Sequence, residues 1–317
     1  MTHITVVGSF AVGLTIRTDQ MPVFGQTILG SDFDFGPGGK GSNQAVGIAR
    51  LGGNATLVTC LGTDELAAVA DKLYATEGVD TRYIERTDQR ATGAGIIILN
   101  AEGENFIILD MGANEMMDAA FVDRAKPSID RSDIVMAVLE IPVSAAMRAM
   151  QLGKAAGART ILNPAPATKL PQEIFAHVDY LTPNESELRI LMGLAPDDPS
   201  STRDLALALR ERGVGTVVVT LGGKGALILS KDHDMVVPTR RVDVVDTTGA
   251  GDAFNAGFAV ALGEGRAVED AVAYGAACGA HACTRLGVIP SLATRAELEA
   301  AWTDVNMKTA KHKKGTR

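Results

Sequence analysis

Ile134-Val135-Met136-Ala137-Val138-Leu139, then Ala145 to Ala156, then Gly157, then Arg159-Thr160-Ile161-Leu162, is the passage that decides the fold. A continuously apolar run without alternation is a strand covered on both faces. The Ala- and Met-rich segment that follows is a helix, and Gly157 supplies the left-handed residue that ends it. A second apolar run comes at once. Strand, helix and strand in succession make a βαβ unit with parallel strands.

The same rhythm extends both ways. Further strands are predicted at Ile4–Val7, Thr56–Cys60, Val178–Leu181, Thr216–Leu221 and Ala226–Leu229. Helices are predicted over Ser42–Leu51, Asp64–Glu77, Glu185–Met192 and Arg203–Arg212, ending at Gly52, Gly78, Gly193 and Gly213. The expected fold is therefore α/β, a three-layer, doubly wound, mostly parallel sheet, in a single domain over residues 1–317. Residues 12–35 and 92–110 break the alternation. They carry strand-like runs, Thr27–Leu29, Gly95–Leu99 and Phe106–Leu109, with no helix between them, and Asn100-Ala101-Glu102-Gly103-Glu104-Asn105 reads as a hairpin turn. These pieces are expected to form a small antiparallel sheet, either a lid over a site or an extension of the main sheet's edge.

Composition narrows the function. The chain has 317 residues, 46% of them hydrophobic, enough for a large buried core. Its net charge of -8, without a basic stripe, argues against nucleic acid as a partner. The basic run Lys308 to Arg317 reads as a frayed terminus. Cys60, Cys278 and Cys283 lie in apolar stretches with no CxxC pair, which excludes a zinc ribbon or redox motif and fits a reducing cytosol. Met1 to Val7 reads as a first strand rather than a signal peptide. Ala267 to Val288 is interrupted by Glu269, Asp270, His281 and Arg285, so it reads as a buried helix and not a membrane span. A cytoplasmic protein without membrane or nucleic-acid partners is expected.

Ligands of open parallel sheets lie beyond the carboxyl ends of the strands. Six predicted strands end there in polar or glycine-rich turns: Gly8-Ser9, Gly62-Thr63-Asp64, Glu140, Asn163-Pro164, Thr182-Pro183-Asn184-Glu185 and Gly222-Gly223-Lys224-Gly225. Together they imply a polar crevice.

Three motifs can carry chemistry. In Asp246-Thr247-Thr248-Gly249-Ala250-Gly251-Asp252-Ala253-Phe254 a helix begins near Ala250 and runs to about Leu262. Free N–H groups at a helix start attract anions, and glycines let a phosphate come close. Asp252 is then either a base that takes a proton from an attacking hydroxyl or a residue that only complements the helix dipole. Gly36-Pro37-Gly38-Gly39-Lys40-Gly41-Ser42-Asn43-Gln44-Ala45 has the wrong spacing for a Walker A loop, because Gly41 separates Lys40 from Ser42. It is either a flexible surface where Lys40 and Asn43 meet a hydroxylated ligand or a plain turn before a helix. Asn184 and Glu187, three apart at a helix start, either organise a hydrated magnesium ion or cap the helix.

In this order and spacing the three motifs resemble those of the ribokinase family of sugar kinases, the PfkB superfamily, and the likeness runs from Val6 to about Ser291, including Leu162-Asn163-Pro164-Ala165-Pro166-Ala167 and Val219-Thr220-Leu221-Gly222. The resemblance implies an ATP-dependent kinase in which Asp252 is the base and Gly249, Ala250 and Gly251 form the anion hole. It implies that Asn184 and Glu187 organise Mg²⁺ and phosphates, and that Thr220, Gly222 and Gly225 line the nucleotide site. Gly39, Lys40, Asn43 and Glu140 would contact the sugar. A monovalent cation, K⁺, would be held by Asp246, Thr248, Arg285, Gly287 and Ser291, several through carbonyls. The family's lid also serves as a dimer interface, which favours a lid and a homodimer here. A nucleoside or sugar-acid kinase of the family and a non-catalytic sugar-binding regulator are the alternatives.

One departure stands out. Where the family carries Asn and Asp that hold sugar hydroxyls, this chain has Ala11 and Gly13. Each charge-assisted hydrogen bond lost is worth about 1.5–3 kcal/mol, so ribose is expected not to be the best substrate. A deoxy or otherwise altered polyol, or a bulkier sugar, fits the vacated space.

Overall fold

A computed structural model describes residues 1–100 and 105–301, except the side chains of Asn105 and Ile107. Most of the expected hairpin turn and the basic tail lie outside the described residues. In chain order the elements are β1 (His3–Val7), β2 (Ala11–Arg17), β3 (Ser31–Gly38), α1 (Lys40–Arg50), β4 (Asn54–Gly62), α2 (Ala67–Glu77), β5 (Asp80–Thr87), β6 (Gly93–Leu99), β7 (Asn105–Asp110), α3 (Ala119–Arg124), α4 (Lys126–Ile129), β8 (Ile134–Ala137), α5 (Val143–Ala155), β9 (Arg159–Leu162), β10 (Tyr180–Leu181), α6 (Glu185–Leu191), α7 (Thr202–Glu211), β11 (Thr216–Thr220), β12 (Ala226–Leu229), β13 (Asp234–Val237), α8 (Ala250–Gly263), α9 (Val268–Ala282) and α10 (Val288–Ser291).

Nine strands form the main sheet in the order β13-β12-β11-β10-β9-β8-β1-β4-β5. From β5 to β11 every pairing is parallel, and β12 and β13 are antiparallel additions at one edge. Alternate residues feed two cores. Ile4, Val6, Val218 and Ile228 pack with α1, α8 and α9 on one face. Val7, Val217, Val219 and Leu229 pack with α3, α5, α6 and α7 on the other. The expected three layers are present, and the βαβ unit that opened the sequence reading is β8-α5-β9. Helix α8 is buried continuously from Asp252 to Leu262, as befits a helix apolar all round. Against it lies α9, where burial pushes the Cys278 thiol up to about 12.

The second sheet runs β3-β2-β6-β7. Its strands pair with one another and not with the edge of the main sheet. The hairpins β2–β3 and β6–β7 are antiparallel, and a parallel pairing of β2 with β6 joins them. Thr27–Leu29 is not a strand. The strands flank it at Ala11–Arg17 and Ser31–Gly38, and Leu29 stands exposed in the connection between them. The apolar run was too short between Gly25 and Gly30 to mark a strand, whereas Ser31-Asp32-Phe33-Asp34-Phe35 carries the period-two alternation of one.

The small sheet has two unlike faces, because cross-strand partners share a side. One row crosses all four strands as Phe35, Leu14, Ile96 and Ile108. The opposite side carries Gly36, Gly13 and Gly95 in one row and Gly38, Ala11 and Gly93 in the next, so six positions bear a single methyl group between them. Arg17 lies on the same side as Ala11 and Gly13, and its charge helps to lower the pKa of Asp246.

Candidate active site

The main sheet reverses its winding between β1 and β8, and the chain leaves those strands at Gly8-Ser9 and Val138-Leu139-Glu140. Such a switch point opens a crevice. Here Ser9 Oγ donates to Glu140 Oε2 at 2.6 Å, and the Lys40 N–H donates to the same oxygen at 2.8 Å. The Ser42 N–H bonds Ser9 O at 2.9 Å. The start of α1 is thus pressed onto the end of β1. A Cβ at Gly41 would stand 2.5 Å from the Gly8 carbonyl carbon and from Ser9 N, and Gly39 caps the helix at φ 86°. The turn, expected to be either a flexible approach surface or a plain turn before a helix, is pinned in place at Gly39 and Gly41, and these two glycines answer to close packing.

Helix α8 brings the second group. Gly249, at φ 78°, takes the left-handed turn that starts it, where a Cβ would meet Val288 Cγ1 at 2.5 Å. The Ala250 N–H turns to Thr247 O at 3.2 Å, while those of Gly249, Gly251 and Asp252 have no hydrogen-bond partner among the described residues. Gly251 is exposed, and a Cβ on it would meet nothing within 4 Å. No packing or backbone demand explains glycine there. Asp252 itself is buried. Its Oδ2 accepts from Asn43 Nδ2 at 2.9 Å and its Oδ1 from Gln44 Nε2 at 3.1 Å. Gln44 had no expected role.

Lys40 sits among three carboxylates. Burial lowers its pKa, but Asp252, Glu140 and Glu187 together outweigh this and hold it above its ordinary value. The ammonium is therefore charged throughout the neutral range. Burial pushes Glu187 up, opposed by the Asn184 N–H and by Lys40. Asn184 and Glu187 form a capping box: Asn184 N donates to Glu187 Oε2 and Glu187 N to Asn184 Oδ1, both at 2.8 Å. Thr220 pairs with Asn184 in an isolated parallel bridge, and its N–H bonds Pro183 O at 3.0 Å. Gly222 is exposed at the end of β11. Gly225 is buried, where a Cβ would lie 2.0 Å from Val237 O, so packing against β13 accounts for it.

A third cluster lies beside α8. Asp246 accepts from Thr248 N at 2.9 Å and from Gly287 N at 3.1 Å. Burial raises its pKa, but the hydrogen bonds from Thr248 and Gly287, helped by Arg17, leave it below the usual carboxylate range. Ser291 Oγ donates to Val288 O at 2.7 Å, and the Arg285 guanidinium is engaged by Glu297 at 2.9 Å. Ala11 is buried and Gly13 partly so, next to the start of α1. A Cβ at Gly39 would be 2.7 Å from Ala11 N, and one at Gly13 would touch Ile97 Cδ1 at 3.4 Å.

Residues 1–295 match the model of the pfkB family carbohydrate kinases. The chain is 36% identical over 294 residues to the Ribokinase of Haemophilus influenzae, covering 93% of this chain and 96% of that protein. It is 37% identical over 257 residues to the Deoxyribokinase of Salmonella typhi, covering 81% and 84%. The structure of Arabidopsis thaliana ribokinase complexed with ribose and ATP superposes with a TM-score of 0.88 at 30% identity, over 96% of this chain and 99% of that one. Every element of the crevice lies inside the matched span, and the chain belongs to the pfkB family of carbohydrate kinases, an ATP-dependent sugar kinase of a family that uses ATP and Mg²⁺.

Proposed function

We propose that the chain moves the γ-phosphoryl group of ATP to a primary hydroxyl of a sugar, with Asp252 as general base. The observation that carries this is the pairing at the head of α8 of a buried carboxylate, held by two amides, with N–H groups that nothing among the described residues claims. The sugar hydroxyl gives its proton to Asp252, its oxygen bonds the γ-phosphorus, and the bridging P–O bond breaks to release ADP. The open N–H groups of Gly249, Gly251 and Asp252 and the Lys40 ammonium face charge that develops on the moving group. Asn184 and Glu187 would organise Mg²⁺ through water, and the raised Glu187 carboxyl suits a nearby cation that would favour its charged form. Thr220 and Gly222 would line the nucleotide site. Asp246, Thr248, Gly287, Ser291 and the Arg285 main chain would hold K⁺, a hard ion suited to oxygen ligands.

Gly39, Lys40, Asn43 and Glu140 would meet the sugar from α1 and β8. The small sheet would close over it as a lid with its bare side inward. That side offers no side-chain partner to a hydroxyl at Ala11, Gly13, Gly36, Gly38, Gly93 or Gly95. The substrate would therefore be a sugar with a hydroxyl missing or a bulkier group there. The likeness to a deoxyribokinase supports the first form, and a nucleoside would fit the second. Coupled ADP-formation assays over a panel of ribose, 2-deoxyribose, other sugars and nucleosides test this. The expected outcome is a kcat/KM for ribose at least about tenfold below the best substrate. Ribose at the top would sink the specificity proposal, and no sugar-dependent ADP at all would sink the kinase chemistry.

The opposite side of the lid exposes Phe33, Phe35, Ile96, Phe106 and Ile108, with the Phe33 and Phe35 rings stacked at 6.4 Å. Such a patch calls for cover. A homodimer joined through it is part of the proposal. Phe35→Asp is expected to turn a dimer into a monomer in light scattering after gel filtration, and a monomeric wild type would refute the interface. Among the described residues no helix is long and apolar enough to cross a membrane, and a cytoplasmic location completes the proposal.

A further inference from the structure

Gln44 is fully buried, and its amide is fixed by what surrounds it. Nε2 stands 3.1 Å from Asp252 Oδ1 and 3.0 Å from Asn163 Oδ1. An ionised carboxylate oxygen and an amide oxygen both accept, so only the NH₂ end fits between them. The reversed amide would set a carbonyl oxygen against both. The other end, Gln44 Oε1, is buried without a hydrogen-bond partner among the described residues, a cost that the contacts of the NH₂ end must offset. From Asn163 the connections continue. Its Nδ2 donates to Thr182 O at 3.1 Å, Thr182 Oγ1 donates to Asn255 Oδ1 at 2.6 Å, and Asn255 Nδ2 donates to Gly251 O at 2.9 Å. Gly251 precedes Asp252, so the hydrogen bonds close into a ring through α1, the ends of β9 and β10, and α8. All its side chains are buried.

An aspartate carboxyl turns easily about its last torsion, whose preference is broad. A carboxylate that must meet a hydroxyl at one angle needs both oxygens fixed. Asn43 fixes Oδ2 and Gln44 fixes Oδ1, both from buried positions on α1. We propose that Gln44 is a positioning residue for phosphoryl transfer: it sets the rotation of the Asp252 carboxylate and is itself held by Asn163. This rests on Asp252 being the base.

Gln44→Met keeps the side chain's length and removes both hydrogen bonds. The expected result is a kcat lowered ~10–100-fold, with KM for the sugar and affinity for MgATP moved less than about threefold. A side chain that only filled space would lower the melting temperature without this split. Asn163→Leu is expected to lower kcat less, and the double variant to be no worse than Gln44→Met alone, the non-additivity of one residue acting through another. Should Gln44→Met fail to fold, Gln44→Glu keeps the outline, sets a carboxylate against Asp252 and puts the same question. A folded Gln44 variant with kcat within about twofold of wild type, or with its loss confined to KM, overturns the proposal, and additive losses overturn the role of Asn163. Asp252→Asn, measured alongside, separates the two levels. If it turns over like wild type, the base assignment fails. If it is inactive while the Gln44 variants are normal, the Gln44 proposal alone fails.

Discussion

Asp252→Asn is expected to lower kcat on the order of 10³-fold while ATP still binds. The substitution keeps the shape of the side chain and leaves the α8 N–H groups and Lys40 in place, so the anion-facing part of the crevice persists. What disappears is the proposed acceptor for the hydroxyl proton. The amide also fits its neighbours less well, since Asn43 and Gln44 both direct N–H donors at this position and one half of the new side chain is itself a donor. Some loss of stability is therefore expected, and turnover should be compared at a temperature where both proteins are folded. Steady-state kinetics with calorimetric titration of ATP decide the matter: equal turnover in the two proteins would remove Asp252 from the role proposed for it.

The second large effect is expected at Gly251, and it separates folding from activity. Beyond its chain neighbours and its own turn of helix, a methyl group there meets no atom of the described residues within 4 Å, and alanine is the better helix former by about 0.5–1 kcal/mol. Gly251→Ala should therefore be as stable as the natural protein or slightly more so. Yet the methyl group would occupy the approach to the unclaimed N–H groups of Gly251 and Asp252, and a displacement of about 1 Å in the reacting group can cost about 10²-fold in rate. Thermal melts together with kcat test both halves. Undiminished kcat in a folded Gly251→Ala protein would mean that no phosphoryl group passes this turn.

The sequence made the main sheet legible because its strands are buried on both faces and therefore apolar without interruption, as in β8, β9 and β11. It concealed β5 and β13 for the converse reason. They are edge strands, and Asp80-Thr81-Arg82-Tyr83-Ile84-Glu85-Arg86-Thr87 reads as surface. In the small sheet the alternation of Asp and Phe over residues 31–35 was the true signal, and the three-residue apolar run before it misled. The motifs of the site could be read one by one, but their joining could not. That Gln44 meets Asp252 depends on α1 packing against α8 across more than 200 residues of chain, which no local spacing records. Likewise Gly41 looked like loop chemistry until its contact with Gly8 and Ser9 gave it a packing reason. At Asn184 and Glu187 the capping box is formed, and one side chain can serve both as cap and as neighbour of a hydrated ion.

The bare side of the small sheet has a consequence for how such a protein diversifies. The positions at 13, 36 and 38 belong to neither of the two cores, so with the lid closed as proposed a side chain introduced there would be judged by the ligand far more than by the fold. The groups proposed to face the phosphates, by contrast, grow from the head of α8, whose next ten residues are all buried. One half of the crevice is thus free to drift and the other is tied to stability. If the small sheet closes over the sugar as proposed, lineages built on this plan would exchange one sugar for another through a few substitutions in β2, β3 and β6, while the same reaction is inherited intact beneath them.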